Sequence, residues 1–201
     1  MNWPVVKLGE ISRPKQWPTL AKKGMTGAGY QVYGANGPIG FTDQYTHAED
    51  TILVGCRGSC GSLHIMPAKS YANGNAMALD ELKTNRVSLQ YLYRALQARG
   101  FDDVITGTSQ PQIIKSNIER VEIPLPPLPE QKRIAGILDQ ADALRRLRAR
   151  ALEKLNTLGQ AIFQEMFGEG VTRRRLALHD LGTVSTGNTP STAVPEYFDG
   201  D

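Results

Sequence analysis

The sequence predicts an α+β fold, a mixed glycine-rich domain followed by a long coiled-coil helix. Three observations predict it. Short apolar runs broken by glycine and Asn-Gly occupy residues 1 to about 125. A single compact helical pattern interrupts them between Ser88 and Gly100, and a near-heptad apolar repeat takes over from Pro129 to Phe167.

VVKLGEIS (Val5–Ser12) reads as a short strand running into a helical turn. Pro14–Gly29 mixes proline, glycine and lysine without a period and reads as loop. Tyr30–Tyr45 reads as two short strands about Asn36-Gly37, a strong hairpin dipeptide. Asp50–Met66 reads strand, glycine loop, strand, with Gly55, Gly58 and Gly61 permitting tight turns or close backbone approach. Asn75–Leu82 reads as another strand. In SLQYLYRALQARG, Leu89, Leu92, Tyr93 and Leu96 fall at helical spacing, with Ser88 placed to cap the start and Gly100 to end it. After it the chain returns to loop and strand, Val121 and Ile123 alternating against Glu122.

IPLPPLP (Ile123–Pro129) resists helix because proline fixes φ and removes a donor, so it reads as a stiff polyproline connector. Its overlapping P-x-x-P patterns also fit an aromatic docking groove. Pro129 and Glu130 suit the first turn of the next helix. Along that helix one apolar line runs Ile134, Ala141, Arg148, Leu155, Ile162 and a second Ile137, Leu144, Ala151, Leu158, with a flanking third through Leu138, Arg145, Leu152, Gly159 and Met166. Two lines three residues apart are what a coiled-coil seam requires. A helix of this length is about 55–60 Å long, so projection and pairing with another helix are expected; packing along its own domain is the alternative. Arg145, Arg146, Arg148 and Arg150 form a solvated face, or interrupt the seam to select a partner or register. In Val171–Asp201, LGTVS (Leu181–Ser185) echoes LGEIS (Leu8–Ser12), and Pro190-Ser191 echoes Pro18-Thr19, as if a second copy of the first domain begins there. The expected organisation is a domain at 1–125, connector and helix at 126–170, and an incomplete repeat at 171–201.

Composition excludes several classes. The chain has 201 residues, 40% hydrophobic and 21% charged, which is globular rather than disordered. Net charge is only +3, so any nucleic-acid contact must come from local patches. Residues 1–128 hold 13 Lys and Arg against 10 Asp and Glu, so the positive excess sits in the first domain. The N-terminus lacks a basic-plus-apolar signal and no apolar run nears the ~20 residues that span a bilayer; a soluble cytoplasmic protein with no membrane partner is expected. There is no Walker phosphate loop, no Asn/Asp-Pro-Pro-aromatic tetrapeptide of amino-methyltransferases, and no dinucleotide glycine motif opening a helix. The carboxylates are scattered, without a nuclease cluster. Cys56, Cys60 and His64 are spaced by four, with His47 as the remaining nearby ligand type; structural zinc favours paired cysteines with a second pair downstream, so two small buried thiols and no metal are expected.

Four stretches in order, VVKLGEIS, VYGANGPIG followed by ILVGCRGSCGS, ITGTSQPQI, and above all VEIPLPPLPEQKRIAGILD, resemble the specificity subunit of type I restriction–modification systems. The resemblance covers essentially the whole chain. It implies a non-catalytic, sequence-specific double-stranded DNA-binding protein. In that family one chain carries two target recognition domains, each followed by a long helix; the helices pair antiparallel, each domain reads half of a split site, and helix length sets the spacer. Methyltransferase subunits using S-adenosylmethionine, and through them an endonuclease subunit using Mg and ATP, join it, so no cofactor is expected on this chain. Only one complete domain and one helix are present here, so a homodimer through the helix, reading an interrupted palindrome, is expected.

Candidate DNA contacts follow from these stretches. Arg57 with Ser59 offers bidentate binding of phosphate or guanine on a glycine loop, the ordinary alternative being a solvated arginine on a tight turn. Thr108, Ser109 and Gln110 can donate to phosphate; because that stretch is shared by family members with different targets, it fits positioning better than base reading. Lys15, Lys22, Lys23 and Lys69 are candidate phosphate contacts in less family-like stretches, and Tyr33 and Asn36 lie in the hairpin motif. Ile134, Ile137, Leu138, Ala141, Leu144, Leu152, Leu155, Leu158 and Ile162 are the candidate helix-pairing residues. The competing function is a protein-interaction adaptor using the helix without DNA contact.

Overall fold

The computed structural model describes residues 3–168, 177–183, 185 and 187. The chain divides into two compact units, Met1–Leu147 and Arg148–Asp201. In order, the elements of the first are β1 (Val5–Lys7), α1 (Leu8–Ile11), β2 (Arg13–Gln16), β3 (Tyr30–Gly34), β4 (Gly37–Thr42), β5 (Thr51–Gly55), β6 (Leu63–Met66), β7 (Tyr71–Ala72), β8 (Ala76–Asp80), α2 (Leu89–Arg99), β9 (Ile105–Thr106), β10 (Gln112–Ile113), α3 (Lys115–Ile118) and β11 (Glu122–Pro124). Helix α4 (Leu128–Phe167) begins in this unit and continues into the second, which also holds α5 (Leu178–Leu181).

The centre is a four-stranded antiparallel sheet in the order β2-β8-β5-β6. Alternating side chains serve its two faces. Ile52, Val54, Met77 and Leu79 join Leu92 and Leu96 of α2, Leu8 and Ile11 of α1, and Ile118 and Ile123 in the main core. Leu53, Ala76 and Ala78 face the other way, toward Tyr33, Met66 and Ala72. Covering both faces explains why β5 is buried at all five positions and apolar on both faces through Ile52, Leu53 and Val54. The second layer is a three-stranded sheet, β4-β3-β7, in which β3 runs parallel to β7.

Helix α2 is bounded as its sequence signals require. Ser88 Oγ accepts from Tyr91 N at 3.2 Å, and Gly100 closes the helix at φ +72°. The β3–β4 hairpin turns through Ala35 and Asn36, and Gly37 at φ +97° takes the left-handed position that follows. One expectation fails: Pro14–Gln16, read as the start of the Pro14–Gly29 loop, belong to the edge strand β2, paired with β8. Its sequence, Arg-Pro-Lys-Gln, carries no apolar alternation because only Pro14 is buried.

The N-terminus closes the domain. β1 pairs antiparallel with β11, Val6 opposite Ile123, and Leu8 and Gly9 donate to Val121 O and Glu119 O at 2.8 and 3.0 Å. The stretch between β11 and α4 is shorter than a free-standing proline connector. Pro124 ends β11, Pro126 is buried and Pro129 already lies in the helix.

A buried side chain pins this joint. Gln131 is 0% exposed. Its Nε2 donates to Arg86 O at 2.9 Å and Pro126 O at 2.8 Å, and its Oε1 accepts from Ser88 N at 2.8 Å. One amide thus ties the first turn of α4 to the connector and to the cap of α2. Ala135 is buried beside it and Ile134 packs against the domain's own core, so Ile134, expected in a helix-pairing seam, serves the joint. Beyond them Ile137, Leu138, Leu144 and Leu147 are 41–67% exposed, and Ala141 is exposed.

In the second unit Leu152, Leu155, Leu158, Ile162, Phe163, Met166 and Phe167 are 45–62% exposed. The short helix α5, Leu178–Leu181, ends on the first residue of the LGTVS echo. Val184 and Pro190-Ser191 of the expected repeat lie outside the described residues.

Gln131→Met keeps length and volume but strands the three backbone groups. The expected loss is about 2–4 kcal/mol of unfolding free energy, measured by urea denaturation. A loss under about 0.5 kcal/mol would show that the joint is held by something else.

Candidate nucleic-acid interface

Two loops singled out by sequence meet at one end of the domain. The first joins β5 to β6. Gly55 starts it, and a Cβ there would collide with Ser59 O and Ser62 Oγ, so only glycine lets the loop fold back so tightly. Gly61 N donates to Gly55 O at 2.9 Å, while Cys56 N and Arg57 N both donate to Asn75 O, at 2.9 and 3.2 Å. The second loop, Gly107–Pro111, is the tip of the β9–β10 hairpin, in which Thr106 faces Gln112.

The loops are laced together. Arg57 and Gln112 form an antiparallel bridge, Ile113 N donates to Cys56 O at 3.0 Å, and the Cys60 thiol donates to Pro111 O at 3.0 Å. The β3–β4 turn joins them, because Ser62 Oγ donates to Ala35 O and leaves Asn36 exposed alongside. Arg57, Ser59, Thr108, Ser109, Gln110 and Asn36 are therefore gathered at one end and all exposed.

Two cavities flank Arg57. One of about 590 Å³ is lined by Arg57, Gly58 and Ser109–Gln112. The other, about 300 Å³, adds Gln16 and Lys115 to Arg57 and Gln112. No carboxylate lines either. The Arg57 side chain makes no hydrogen bond or ion pair with a described residue. Lys115 lies 3.6 Å from Glu119, an exposed pair that leaves its ammonium available. A free guanidinium among amides and hydroxyls, without competing anions, can hold a phosphate oxygen or a base edge.

The far end of the same sheet has the opposite character. A cavity of about 670 Å³ there is lined by Glu49, Asp50, Asp80 and Glu81 together with Trp17 and His47. His47 Nε2 lies 2.9 Å from Asp80 Oδ1, Trp17 Nε1 donates to Asp80 Oδ2 at 3.1 Å, and Thr46 Oγ1 lies 2.7 Å from His47 Nδ1. Lys69, at φ +56° in the turn after β6, belongs to this end, since Met66 pairs with Thr51 and the Arg57 loop leaves from the other end of that ladder.

The other candidates are dispersed. Lys15 stands on β2 with Nζ 3.8 Å from the centre of the Trp17 ring. Lys22 and Lys23 are exposed on a 3-10 turn, Lys22–Gly24. Tyr33 is not on the surface: it is 9% exposed, packs between the two sheets, and donates to Gln31 Oε1 at 2.9 Å, and burial pushes its phenol above the usual range. Sequence reasoning missed Gln16, Asn75 and Lys115. Gln16 and Asn75 do fall in the less family-like stretches, but only the β2–β8 pairing reveals that they approach Arg57.

The thiols differ from expectation in one respect. Cys56 is 2% exposed, but Cys60 is only half-buried, and both are free. Among the described residues no group of three or more His, Cys, Asp or Glu is placed to hold a metal ion. His47 is committed to the acidic end, and His64 lies under Gly37.

A mixed α/β domain followed by a long helix is the class of architecture these features define. The chain belongs to the type I restriction modification DNA specificity domain family, whose model matches residues 1–157. It is 24% identical over 116 residues to the type I restriction enzyme EcoprrI specificity subunit of Escherichia coli, covering 57% of this chain and 28% of that protein. It is 30% identical over 125 residues to the MjaVIII specificity subunit of Methanocaldococcus jannaschii, covering 61% of this chain and 29% of that protein. In structure it is similar to the type I restriction-modification S subunit from M. genitalium, with TM-score 0.62 and 25% identity over 82% of this chain and 48% of that one. The HsdS subunit from Thermoanaerobacter tengcongensis shares the fold, with TM-score 0.56 and 24% identity over 84% of this chain and 46% of that one. The chain thus spans about half the length of these solved subunits, and the matched region is under a third of the curated relatives. No described helix is long and apolar enough to cross a membrane.

Burial pushes the Cys56 thiol up, with nearby Arg57 opposing. Pulse alkylation of the folded protein with peptide mapping should label Cys60 first and leave Cys56 protected even at about pH 8.5, the ordinary cysteine pKa. Equal labelling rates would contradict the packing described.

Proposed function

We propose that this chain is a non-catalytic specificity module of a type I restriction–modification complex. It docks one DNA half-site at the Arg57 end of the domain and presents α4 to a second helix and to methyltransferase subunits. The observation that carries the DNA reading is the meeting of two family-like loops around an unpaired Arg57 in cavities without carboxylates. Arg57, Ser109, Gln110 and Lys115 hold the backbone. Gln16, Gln112, Asn36 and Asn75 are the amides within reach of base edges, where glutamine and asparagine pair with adenine. S-adenosylmethionine, Mg and ATP belong to the partner subunits.

The exposed apolar face of α4 supports self-association, since a contiguous stripe of leucine and isoleucine in water favours a partner. In this reading two copies pair antiparallel through Ile137, Leu138, Ala141, Leu144, Leu152, Leu155, Leu158 and Ile162. The same face also suits an adaptor that touches no DNA, and salt-dependent DNA binding separates the two.

Arg57→Ala should weaken duplex binding about tenfold and, if it holds one phosphate, reduce the slope of log affinity against log salt by about one. Fluorescence anisotropy over a salt series measures both. Unchanged affinity, or wild-type binding that ignores salt, would reject the DNA reading.

Sedimentation at tens of micromolar should show a wild-type dimer that Leu144→Asp with Leu155→Asp converts to a folded monomer. A wild-type monomer counts against helix pairing.

A further inference from the structure

Gln131, with Ile134 and Ala135 one turn on, fixes where α4 starts, but attachment confined to the first turns leaves a rod free to tilt. A second attachment lies further along the helix. Arg94, on α2, reaches across to α4 with a side chain only 15% exposed. Its Nε and Nη2 donate to Asp139 Oδ1 at 3.0 and 2.6 Å. Its Nη1 donates to Asp142 Oδ2 and to Gln97 Oε1, the latter at 3.1 Å. Asp139 and Asp142 are three apart, so one helix face presents both carboxylates to one guanidinium. From Gln131 to this pair is about 12–16 Å along the axis at 1.5 Å per residue.

Two attachments that far apart define a direction. The joint supplies position through a buried amide, and the clamp supplies angle through a forked cation. The fork matters: guanidinium presents donors in a fixed plane, whereas an ammonium is a point charge that cannot hold two carboxylates and an amide in one geometry. For any straight helix of about 60 Å, a tilt of about 10° at the base moves the far end by about 10 Å. That is three base-pair steps at about 3.4 Å. Small freedom at the clamp would therefore be large freedom in what the helix measures.

We propose that Arg94, through Asp139 and Asp142, is a positioning residue that sets the spacing between the two DNA half-sites. It touches no DNA in this account. The proposal rests on the function proposed above and adds to it a named determinant of spacer selectivity.

Two measurements test it. In the first, the full chain is assembled with its methyltransferase subunit and offered duplexes carrying both mapped half-sites with spacers from two shorter to two longer than the preferred one. Wild type should discriminate against a one-base change. Arg94→Lys and Arg94→Ala should lose that discrimination at least fivefold, while affinity for a duplex with a single half-site stays within twofold. Asp139→Asn with Asp142→Asn should match them. An unchanged spacer profile, or a loss uniform across all spacers that tracks half-site affinity, overturns the proposal.

The second measurement needs no DNA, so its failure is separable from failure of the DNA reading. Spin labels carried by unnatural amino acids at exposed Lys7 and Gln160, diluted with unlabelled chain, report the distance distribution between domain and helix. Arg94→Ala should broaden it while the melting temperature stays near wild type. An unchanged distribution overturns the clamp whatever the DNA experiments show.

Discussion

The arrangement depends on one buried amide. Gln131 sits in the first turn of α4 with no exposure and bonds three backbone groups from two other segments. A buried polar side chain is tolerable only when its donors and acceptors are satisfied, and here each partner is a backbone group that would otherwise be left unpaired in the joint. The arrangement works in one geometry: the chain must leave β11, turn at Pro126 and enter the helix just where the cap of α2 presents Ser88 N. The pairing of β1 with β11 supports it from the other side, because Leu125 N also donates to Pro4 O at 2.7 Å. The proline-rich stretch is therefore less a free spacer than a short lead into a lock.

Around that lock the domain is polarised. The four-stranded sheet is covered on both faces, so its two ends are the places where loops gather. At one end, tight glycine turns bring together an unpaired arginine, amides and hydroxyls. At the other, four carboxylates line a cavity with His47 and Trp17. The carboxylates that line the cavity at the second end, and their absence from the cavities at the first, give the domain a local charge asymmetry that its small net charge does not show.

Much of this was legible in the sequence where local chemistry decides the outcome. Ser88 and Gly100 bound α2, the hairpin lies at Asn36-Gly37, and the glycine loop after β5 is where its spacing placed it. What was not legible rests on pairings between distant residues. β2 looks like loop because its partner β8 supplies the context that makes Arg-Pro-Lys-Gln a strand. Gln131 looks like an ordinary helix-former until Arg86, Ser88 and Pro126 surround it. Ile134 has the right heptad phase, but periodicity cannot tell whether the neighbour is another helix or the domain's own core. Tyr33 lies in the hairpin motif and Lys69 in a less family-like stretch, but neither signal carries information about which face of a sheet, or which end, a side chain occupies. Arg57 and the Ser109–Gln110 stretch are each candidates by residue type, yet only the bridge between Arg57 and Gln112 shows that they lie at one place.

We propose that the Arg57 end reads one half of a split DNA site while α4 relates it to a second copy. The most direct test is to map modified bases in DNA from cells that co-express this chain with its methyltransferase subunit. Methylation is expected to be confined to a single site of two inverted half-sites at a fixed spacing, and to be abolished when the chain is omitted. Methylation without sequence preference, methylation at a contiguous site, or none at all would contradict it.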